Sequence, residues 1–520
     1  MSLIEKTIGQ CLKERVCLTP DKKGVSSDGR YFTWRQADEL SDRLAVRFMK
    51  FGICRGTHVA IWSFNTPESV FCWLALEKLG AVAVLVNTSY KNGELKNVLA
   101  DSGAEYLFFG GDDGSGYFEE IMEELEKKQL PLLKKTMRLE DTVFLPELSG
   151  EERIALLKTQ KSVHPEDTAC MIFTSGTTSR PKGVLLSHRS LVNNSREMSA
   201  VMKWNESDVM CIAVPLFHCF GITAGILCGI HTGAQLHLLK KFRSLEIMEQ
   251  VQKEGCTVLN GVPTMFLALV RNPEKNKYRL ETLKSGIIAG SAIEPDEYME
   301  ICCSLKLKYL QPSYGQTESS PCITITRLDE SPEQKSQSSG TVIDDAELRI
   351  QCTDEINIQG VKQGEILTRG YHVMKGYFGR PEETAEAIDE EGWLHTGDIG
   401  YLDSQHHLHV IGRKKEMIVR GGENISPAEI EQCISHLSQV AQVKVLGIKA
   451  EVLQEEVAAC IVLRDHAELT GDEVRQQVKR HLADYKVPKY VYFLPELPMT
   501  SSGKVCLEEL KEMILMKSCQ

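Results

Sequence analysis

The stretch Phe173-Thr-Ser-Gly-Thr-Thr-Ser-Arg-Pro-Lys-Gly-Val184 constrains this chain more than any other. An apolar run, Ala169-Cys-Met-Ile-Phe173, precedes it with the length and residue types of a buried strand. Ser187-His-Arg-Ser-Leu191 follows and opens a helix. Between them stand five hydroxyl residues, two glycines and one lysine. A polyphosphate needs such groups: backbone N–H groups free to point inward, hydroxyls that donate, and a cation. Gly176 and Gly183 permit close backbone approach, and Pro181 stiffens the exit and presents Lys182. The flanks exclude the common P-loop. Pro181 stands where that motif needs its second glycine, and Gly183 where it needs Ser or Thr. Taken alone, the segment reads equally well as a Ser/Thr-rich surface turn.

Helices and strands alternate around this loop. Thr33-Trp-Arg-Gln36 is a capping box, and Ala37, Leu40, Leu44 and Phe48 line one face of a helix ending near Gly52. Val59–Trp62 reads as a strand, Pro67–Leu79 as a helix and Ala81–Val86 as another strand, which implies a mostly parallel α/β sheet. At 520 residues the chain exceeds one ordinary core, so at least two domains are expected. Val209–Ile230 is uncharged and long enough to span a bilayer, yet Pro215, His218, Gly221, Thr223, Gly225 and Gly229 interrupt it. A strand (Met210–Val214), a loop and a core helix fit better. Its three glycines either leave room for a ligand or let the helix pack closely, and packing is the favoured reading. Asp329–Ser339 reads as a polar surface loop. Near the end, Ser426-Pro-Ala-Glu429 and Thr470-Gly-Asp-Glu473 read as capping boxes, and Val443–Ile448 and Val457–Leu463 as strands, giving a small α+β unit.

A net charge of −12 argues against a nucleic-acid partner held by general electrostatics, so an anionic ligand must rely on local donors. Seventeen cysteines occur without any Cys-x-x-Cys, as expected of free buried thiols in a reducing compartment. The first residues lack an apolar signal core, and the last match neither a prenylation box nor a peroxisomal address. A cytoplasmic protein without a transmembrane segment is expected. His406-His-Leu-His409 invites a zinc reading but lacks a further ligand cluster, and a hairpin suits it better.

Four more segments have chemistry to offer. Gly286-Ile-Ile-Ala-Gly-Ser-Ala292 ends a strand in small residues, against which a flat ring can lie. In Tyr314-Gly-Gln-Thr-Glu318 an aromatic can stack on a purine, a threonine can bind phosphate and a glutamate can hold Mg²⁺. Gly392-Trp-Leu-His-Thr-Gly-Asp398 places a carboxylate where it can accept ribose hydroxyls. Pro498-Met-Thr-Ser-Ser-Gly-Lys504 ends in a lysine that would otherwise be a solvated charge.

In this order, and over essentially the whole chain, these motifs resemble those of the adenylate-forming superfamily, which includes acyl-CoA synthetases, luciferases and peptide-synthetase adenylation domains. The loop matches its pattern Thr-Ser-Gly-Thr-Thr-Gly-x-Pro-Lys-Gly, except that Ser179 replaces a glycine. The resemblance implies an α/β fold. A large N-terminal domain of mostly parallel sheets with a β subdomain (1–411) would precede a small mobile α+β domain (412–520). It assigns the phosphates to Thr174, Ser175, Gly176, Thr177, Thr178, Lys182 and Thr317, and Mg²⁺ to Glu318. Adenine falls to Gly290, Ser291, Ala292, Tyr314 and Gly315, and the ribose to Asp398. Arg413 would contact the nucleotide, Lys415 would be the hinge, and Gly421 and Gly422 would line the pantetheine tunnel. Catalysis would fall to Lys504, Glu318, Thr174 and Lys182, and the acyl pocket to Phe217, His218, Gly221, Gly261 and Val262. Leu507 stands where the family often has a basic residue.

The implied reaction is an ATP-dependent acid–CoA ligation with ATP, Mg²⁺ and CoA. Amino-acid-activating relatives carry an aspartate near the acyl pocket, but no acidic residue lies between Asp208 and Glu246 here. A fatty or other hydrophobic acid is therefore expected, with a carnitine-like or aromatic acid behind it. Loading of a carrier protein's phosphopantetheine arm stays open. A non-catalytic relative is opposed by Lys504, Glu318 and Arg413, and a luciferase-like oxidase is remote.

Overall fold

Helices begin where hydroxyl caps stand in the computed structural model, which describes residues 3–112, 115–125, 130–142, 145–174, 181–356, 362–414, 416–420, 423–450, 454–482, 484–499 and 505–518. Thr33 Oγ1 accepts the Gln36 N–H at 3.2 Å and Gln36 Oε1 accepts the Thr33 N–H at 2.9 Å, starting the helix Trp34–Lys50. Ala37, Leu44 and Phe48 on its inner face are buried. Thr66 and Ser187 cap Pro67–Leu79 and His188–Met202 in the same way. A cap of this kind contributes about 1 kcal/mol, so the helix starts were legible locally.

The chain divides into two compact units, Met1–Leu348 with Leu367–Leu394 and His406–Leu408, and Arg349–Ile366 with His395–Gln405 and His409–Gln520. Among the described residues the first unit holds two large, mostly parallel sheets. In one, Tyr309–Tyr314, Ser285–Ile288, Val258–Leu259, Val209–Ile212, Gln235–Leu238 and Lys23–Ser27 lie side by side and parallel, with antiparallel strands at both edges. In the other, Thr168–Thr174, Val82–Leu85, His58–Ser63, Tyr106–Gly110 and Lys135–Arg138 are parallel. Lys182–Ser187 returns antiparallel along Thr168–Thr174. These strands are near-continuous apolar runs because helices cover both faces.

The second unit takes in most of a four-stranded sheet (Ala346–Ile356, Lys362–Gly370, Leu394–Leu402 and Leu408–Arg413). It also contains an antiparallel sheet of Glu423–Ile425, Ile418–Arg420, Gln454–Leu463 and Val440–Ala450, with Tyr490–Phe493 added parallel. Ile430 and Ile434 of Pro427–Ser435, with Val474 and Val478 of Gly471–His481, close its core. The whole is the mixed α/β architecture expected, with a large N-terminal sheet domain and a small C-terminal one. Among the described residues no helix is long and apolar enough to cross a membrane, and the described cysteines are all free.

Two local expectations need correction, and a third holds with a refinement. Asp329–Ser339 is not simply a loop: Ser331 caps a short helix, Pro332–Gln337, and turns Lys335 into the interior. Ser426 stands at a helix start without capping it. Its hydroxyl donates to the Ile411 carbonyl, and the Glu429 carboxylate accepts from Lys486 Nζ instead. The stretch after Val209–Ile212 winds first as a wide π-helix, Gly221–Leu227, then as an α-helix, Cys228–Thr232. A Cβ at Gly221 would lie 2.3 Å from the Pro215 carbonyl oxygen, and one at Gly229 2.3 Å from Leu236 Cδ2. At these two positions glycine serves close packing.

His372 is fully buried against Thr368, with Nε2 2.8 Å from Oγ1. Burial lowers its pKa from 6.5 to about 4. Because the folded value lies below the unfolded one, the unfolded chain takes up the extra proton first. Stability from this residue is complete above the unfolded pKa and is lost as pH falls from 6.5 toward 4. The thermal midpoint should drop between pH 7 and pH 5, and His372→Gln should flatten that slope; equal slopes in calorimetry would refute it.

Candidate active site

The two candidate segments of the first sheet, Gly290–Ala292 and Tyr314–Glu318, leave the carboxyl ends of neighbouring parallel strands. Leu259 pairs with Cys211, Val258 with Ser285, and Ile288 with Pro312. Four loops therefore emerge at one edge: Pro215–His218, Gly261–Val262, Gly290–Ala292 and Gly315–Glu318. Such an edge is where open α/β sheets bind ligands. Gly261 is tied in on both sides. Its N–H donates to the Ile287 carbonyl at 3.0 Å, and its carbonyl accepts the Ala289 N–H at 3.2 Å. Gly290 has φ +92°, a left-handed conformation, and a Cβ there would approach Val262 Cγ1 to 3.1 Å. A Cβ at Gly315 would lie 1.8 Å from the Pro321 carbonyl oxygen, so only glycine fits. Gly290, Ser291 and Ala292 are exposed, whereas Tyr314, Thr317 and Glu318 are half-buried.

The strands on either side of the hydroxyl-rich stretch, Thr168–Thr174 and Lys182–Ser187, pair antiparallel as a hairpin. Thr174 and Lys182 are partners across its mouth, which the sequence reading had not anticipated as a strand pair. Ser175, Gly176, Thr177 and Thr178 lie outside the described residues. Lys182 Nζ sits 4.8 Å from the centre of the Tyr377 ring. The Tyr377 hydroxyl donates to Glu318 Oε1 at 3.0 Å, and the Glu318 carbonyl accepts the Met374 N–H at 2.9 Å. Burial first, and then the Glu318 carboxylate, raise the Tyr377 pKa far above its ordinary value, so the phenol stays a donor. Lys182 and Glu318, remote in sequence, are thus joined through a tyrosine that lies outside every motif singled out in the sequence. Gly-Tyr-Phe carries no signal for such a role; only the strand pairing reveals it.

On the acyl side, Phe217 and His218 are half-buried with ring centres 4.5 Å apart. Phe217 lines a narrow apolar cavity together with Ile61, Val70, Trp73, Leu85 and Ile226. Its polar members are Ser63 and Ser69, and no charged residue lines it.

In the second unit Asp398 is buried, with Oδ1 3.4 Å from Arg413 Nε. Its backbone N–H donates to Thr396 Oγ1 at 3.1 Å. Glu365 supports the strand Leu394–Leu402 beside it, accepting the Gly397 N–H at 3.2 Å and Lys414 Nζ at 2.8 Å. Burial opposes the charge, yet Lys414 and His395 hold the Glu365 carboxyl below its ordinary range. This support, too, had no sequence signal. Lys415, Gly421, Gly422 and Lys504 lie outside the described residues. Residues on either side of Lys504 are described: Met499 bridges Val505, and the Cys506 N–H donates to the Pro498 carbonyl at 2.8 Å.

Among the described residues no group of three or more His, Cys, Asp or Glu gathers to hold a metal. A lone carboxylate, Glu318, fits Mg²⁺ bound the way phosphate-carrying sites bind it, with phosphate oxygens and water as the other ligands.

Comparison with known proteins agrees with this geometry. The profile of the AMP-binding enzyme family matches residues 12–378, and that of the AMP-binding enzyme C-terminal domain matches residues 429–504. YngI of Bacillus subtilis (strain 168), an acyl-CoA synthetase by name, is 36% identical over 537 aligned positions, covering 98% of this chain and 97% of that protein. The human medium-chain acyl-CoA ligase ACSF2, mitochondrial, is 33% identical over 540 positions, covering 98% and 88%. Among solved structures, the Bacillus subtilis o-succinylbenzoate CoA synthetase MenE, in complex with the acyl-adenylate intermediate OSB-AMP, superposes with a TM-score of 0.82. It is 27% identical over 98% of this chain and 99% of that one. A match that runs through both parts of the family, with full-length relatives above 30% identity, leaves one conclusion: the chain belongs to the AMP-binding enzyme family of adenylate-forming acyl-CoA synthetases.

Proposed function

We propose that the chain activates a hydrophobic carboxylic acid of medium chain length as acyl-AMP and then transfers the acyl group to CoA. The observation that carries the substrate class is the uncharged apolar cavity running inward from Phe217. An apolar tail gains roughly 0.8 kcal/mol for each methylene buried in such a lining, whereas a charged or amino-bearing acid would find no partner there. The cavity as it stands is small, about 20 Å³, and in this reading Phe217 and its neighbours turn aside to admit a tail. The name of the human relative supports the medium length.

A carboxylate is a poor electrophile, because attack on it piles charge onto an anion. In the first step its oxygen attacks the α-phosphorus of ATP, and the bond to pyrophosphate breaks. Thr174, Lys182 and Thr317, with Ser175, Gly176, Thr177 and Thr178, hold the phosphates, and Lys504 meets the charge that develops in the transition state. Glu318 would hold Mg²⁺, which would supply charge neutralisation at the phosphate oxygens. Gly290, Ser291, Ala292, Tyr314 and Gly315 lie against adenine, Asp398 accepts from the ribose, and Arg413 contacts the nucleotide. In the second step the small domain, 412–520, turns about Lys415, and Gly421 and Gly422 guide the pantetheine arm. The CoA sulfur attacks the carbonyl carbon of the mixed anhydride, the thiol proton is lost, and AMP leaves. His218, Gly221, Gly261 and Val262 complete the acyl side. The free thiols suit a reducing compartment, and we place the enzyme in the cytoplasm.

Lys504→Ala should abolish pyrophosphate release yet leave thioester formation from synthetic acyl-AMP near wild type; equal loss of both half-reactions would remove Lys504 from the first step. AMP production with CoA across acids from acetate to palmitate, with benzoate, cinnamate and carnitine alongside, should show an optimum within the aliphatic series. Val70→Phe should move that optimum to shorter acids and lower kcat/KM for the former best acid by about tenfold. A preference for carnitine or benzoate, or no shift in Val70→Phe, would overturn the substrate reading. Pyrophosphate exchange without CoA-dependent AMP release would make a carrier protein the acceptor.

A further inference from the structure

Tyr377 stands between the two charged groups assigned above to the nucleotide, and its position is fixed by backbone bonds to both of their elements. The short edge strand Gly376–Tyr377 runs antiparallel to Lys182–Ser187, with Tyr377 opposite Val184. On either side, the Phe378 N–H donates to the Gly183 carbonyl at 2.8 Å and the Lys375 N–H to the Leu185 carbonyl at 2.9 Å. One residue earlier, the Met374 N–H holds the Glu318 carbonyl at 2.9 Å. The Tyr377 N–H itself is taken by Thr384 Oγ1 at 2.9 Å. The ring therefore has little freedom. One face carries the Lys182 ammonium at 4.8 Å, and the hydroxyl at its edge reaches Glu318 Oε1 at 3.0 Å.

A cation and a carboxylate on adjoining elements attract each other, and a direct ion pair between them would occupy the charges that phosphate and metal require. The Tyr377 ring meets the ammonium on its face and the carboxylate at its hydroxyl edge. Its face attracts the ammonium weakly, and its hydroxyl fixes the rotation of the carboxylate.

We propose that Tyr377 is a positioning residue that keeps Lys182 and Glu318 apart and aims the Glu318 carboxylate at the metal of the bound nucleotide. This rests on the reading of Glu318 and Lys182 as metal and phosphate ligands. The test is ATP binding to the full-length protein by calorimetry, once with Mg²⁺ and once with chelator. Wild type should bind ATP more tightly with Mg²⁺. Tyr377→Phe keeps the ring and loses the hydroxyl, so its affinity for metal-free ATP should stay within about twofold of wild type while the gain from Mg²⁺ falls by about tenfold. Tyr377→Leu should lose affinity under both conditions. A general packing defect would weaken both conditions together in Tyr377→Phe, with a lowered thermal midpoint, and would overturn the proposal. So would a Phe variant that keeps the full Mg²⁺ gain, and that result would leave the Glu318 reading intact. Absence of any Mg²⁺ gain in wild type would instead overturn the metal reading and this inference with it.

Discussion

In a parallel ladder every strand runs the same way, so the loops leaving the carboxyl ends gather on one edge of the sheet. Here the pairs Leu259–Cys211, Val258–Ser285 and Ile288–Pro312 hold that alignment. Each pair places the next loop beside the last, so that Val262 meets Gly290. A slip of one residue would move each strand's side chains to the opposite face and carry its loop with it. The tight backbone approach at Gly315 belongs to the same constraint, since the turn that aims Thr317 and Glu318 folds directly over Pro321.

The second parallel sheet supplies what the first lacks. Its hairpin delivers Thr174 and Lys182, and the edge strand Gly376–Tyr377 pairs with the returning arm and reaches Glu318. Thr174 and Lys182 from one sheet are thereby set against Glu318 from the other, the groups we propose for phosphate and metal. The apolar side follows similar logic. The π-helical turn Gly221–Leu227 presses close enough to Pro215 to exclude any Cβ at Gly221, and its Ile226 forms part of the cavity that Phe217 opens. The preference for an apolar tail that we propose would follow from how tightly that helix packs.

Helix starts at Thr33, Thr66, Ser187 and Thr470 were legible because a cap is decided within four residues. Ser426 shows the limit of that rule. The same residue types stand in the same spacing, yet the Ile411 carbonyl and Lys486 compete successfully for the serine and for Glu429. Lys335 shows it too: a polar run was read as solvated, although Lys335 is buried. No local pattern reports partners so far along the chain.

Residue types and spacing pointed to the α/β class and the order of the motifs, and the family resemblance carried by those motifs singled out Thr174, Lys182, Tyr314, Thr317, Glu318, Asp398 and Arg413. Each of those readings depends on what one side chain or one short turn can do. The contacts among these residues were decided only by the tertiary structure. Lys182 and Glu318 share Tyr377, Asp398 stands on a strand held by Glu365, and Gly221 and Gly229 serve packing. Such contacts form between segments remote in sequence, and long-range pairing is set by the register of the strands, which leaves no mark on any single stretch of the chain.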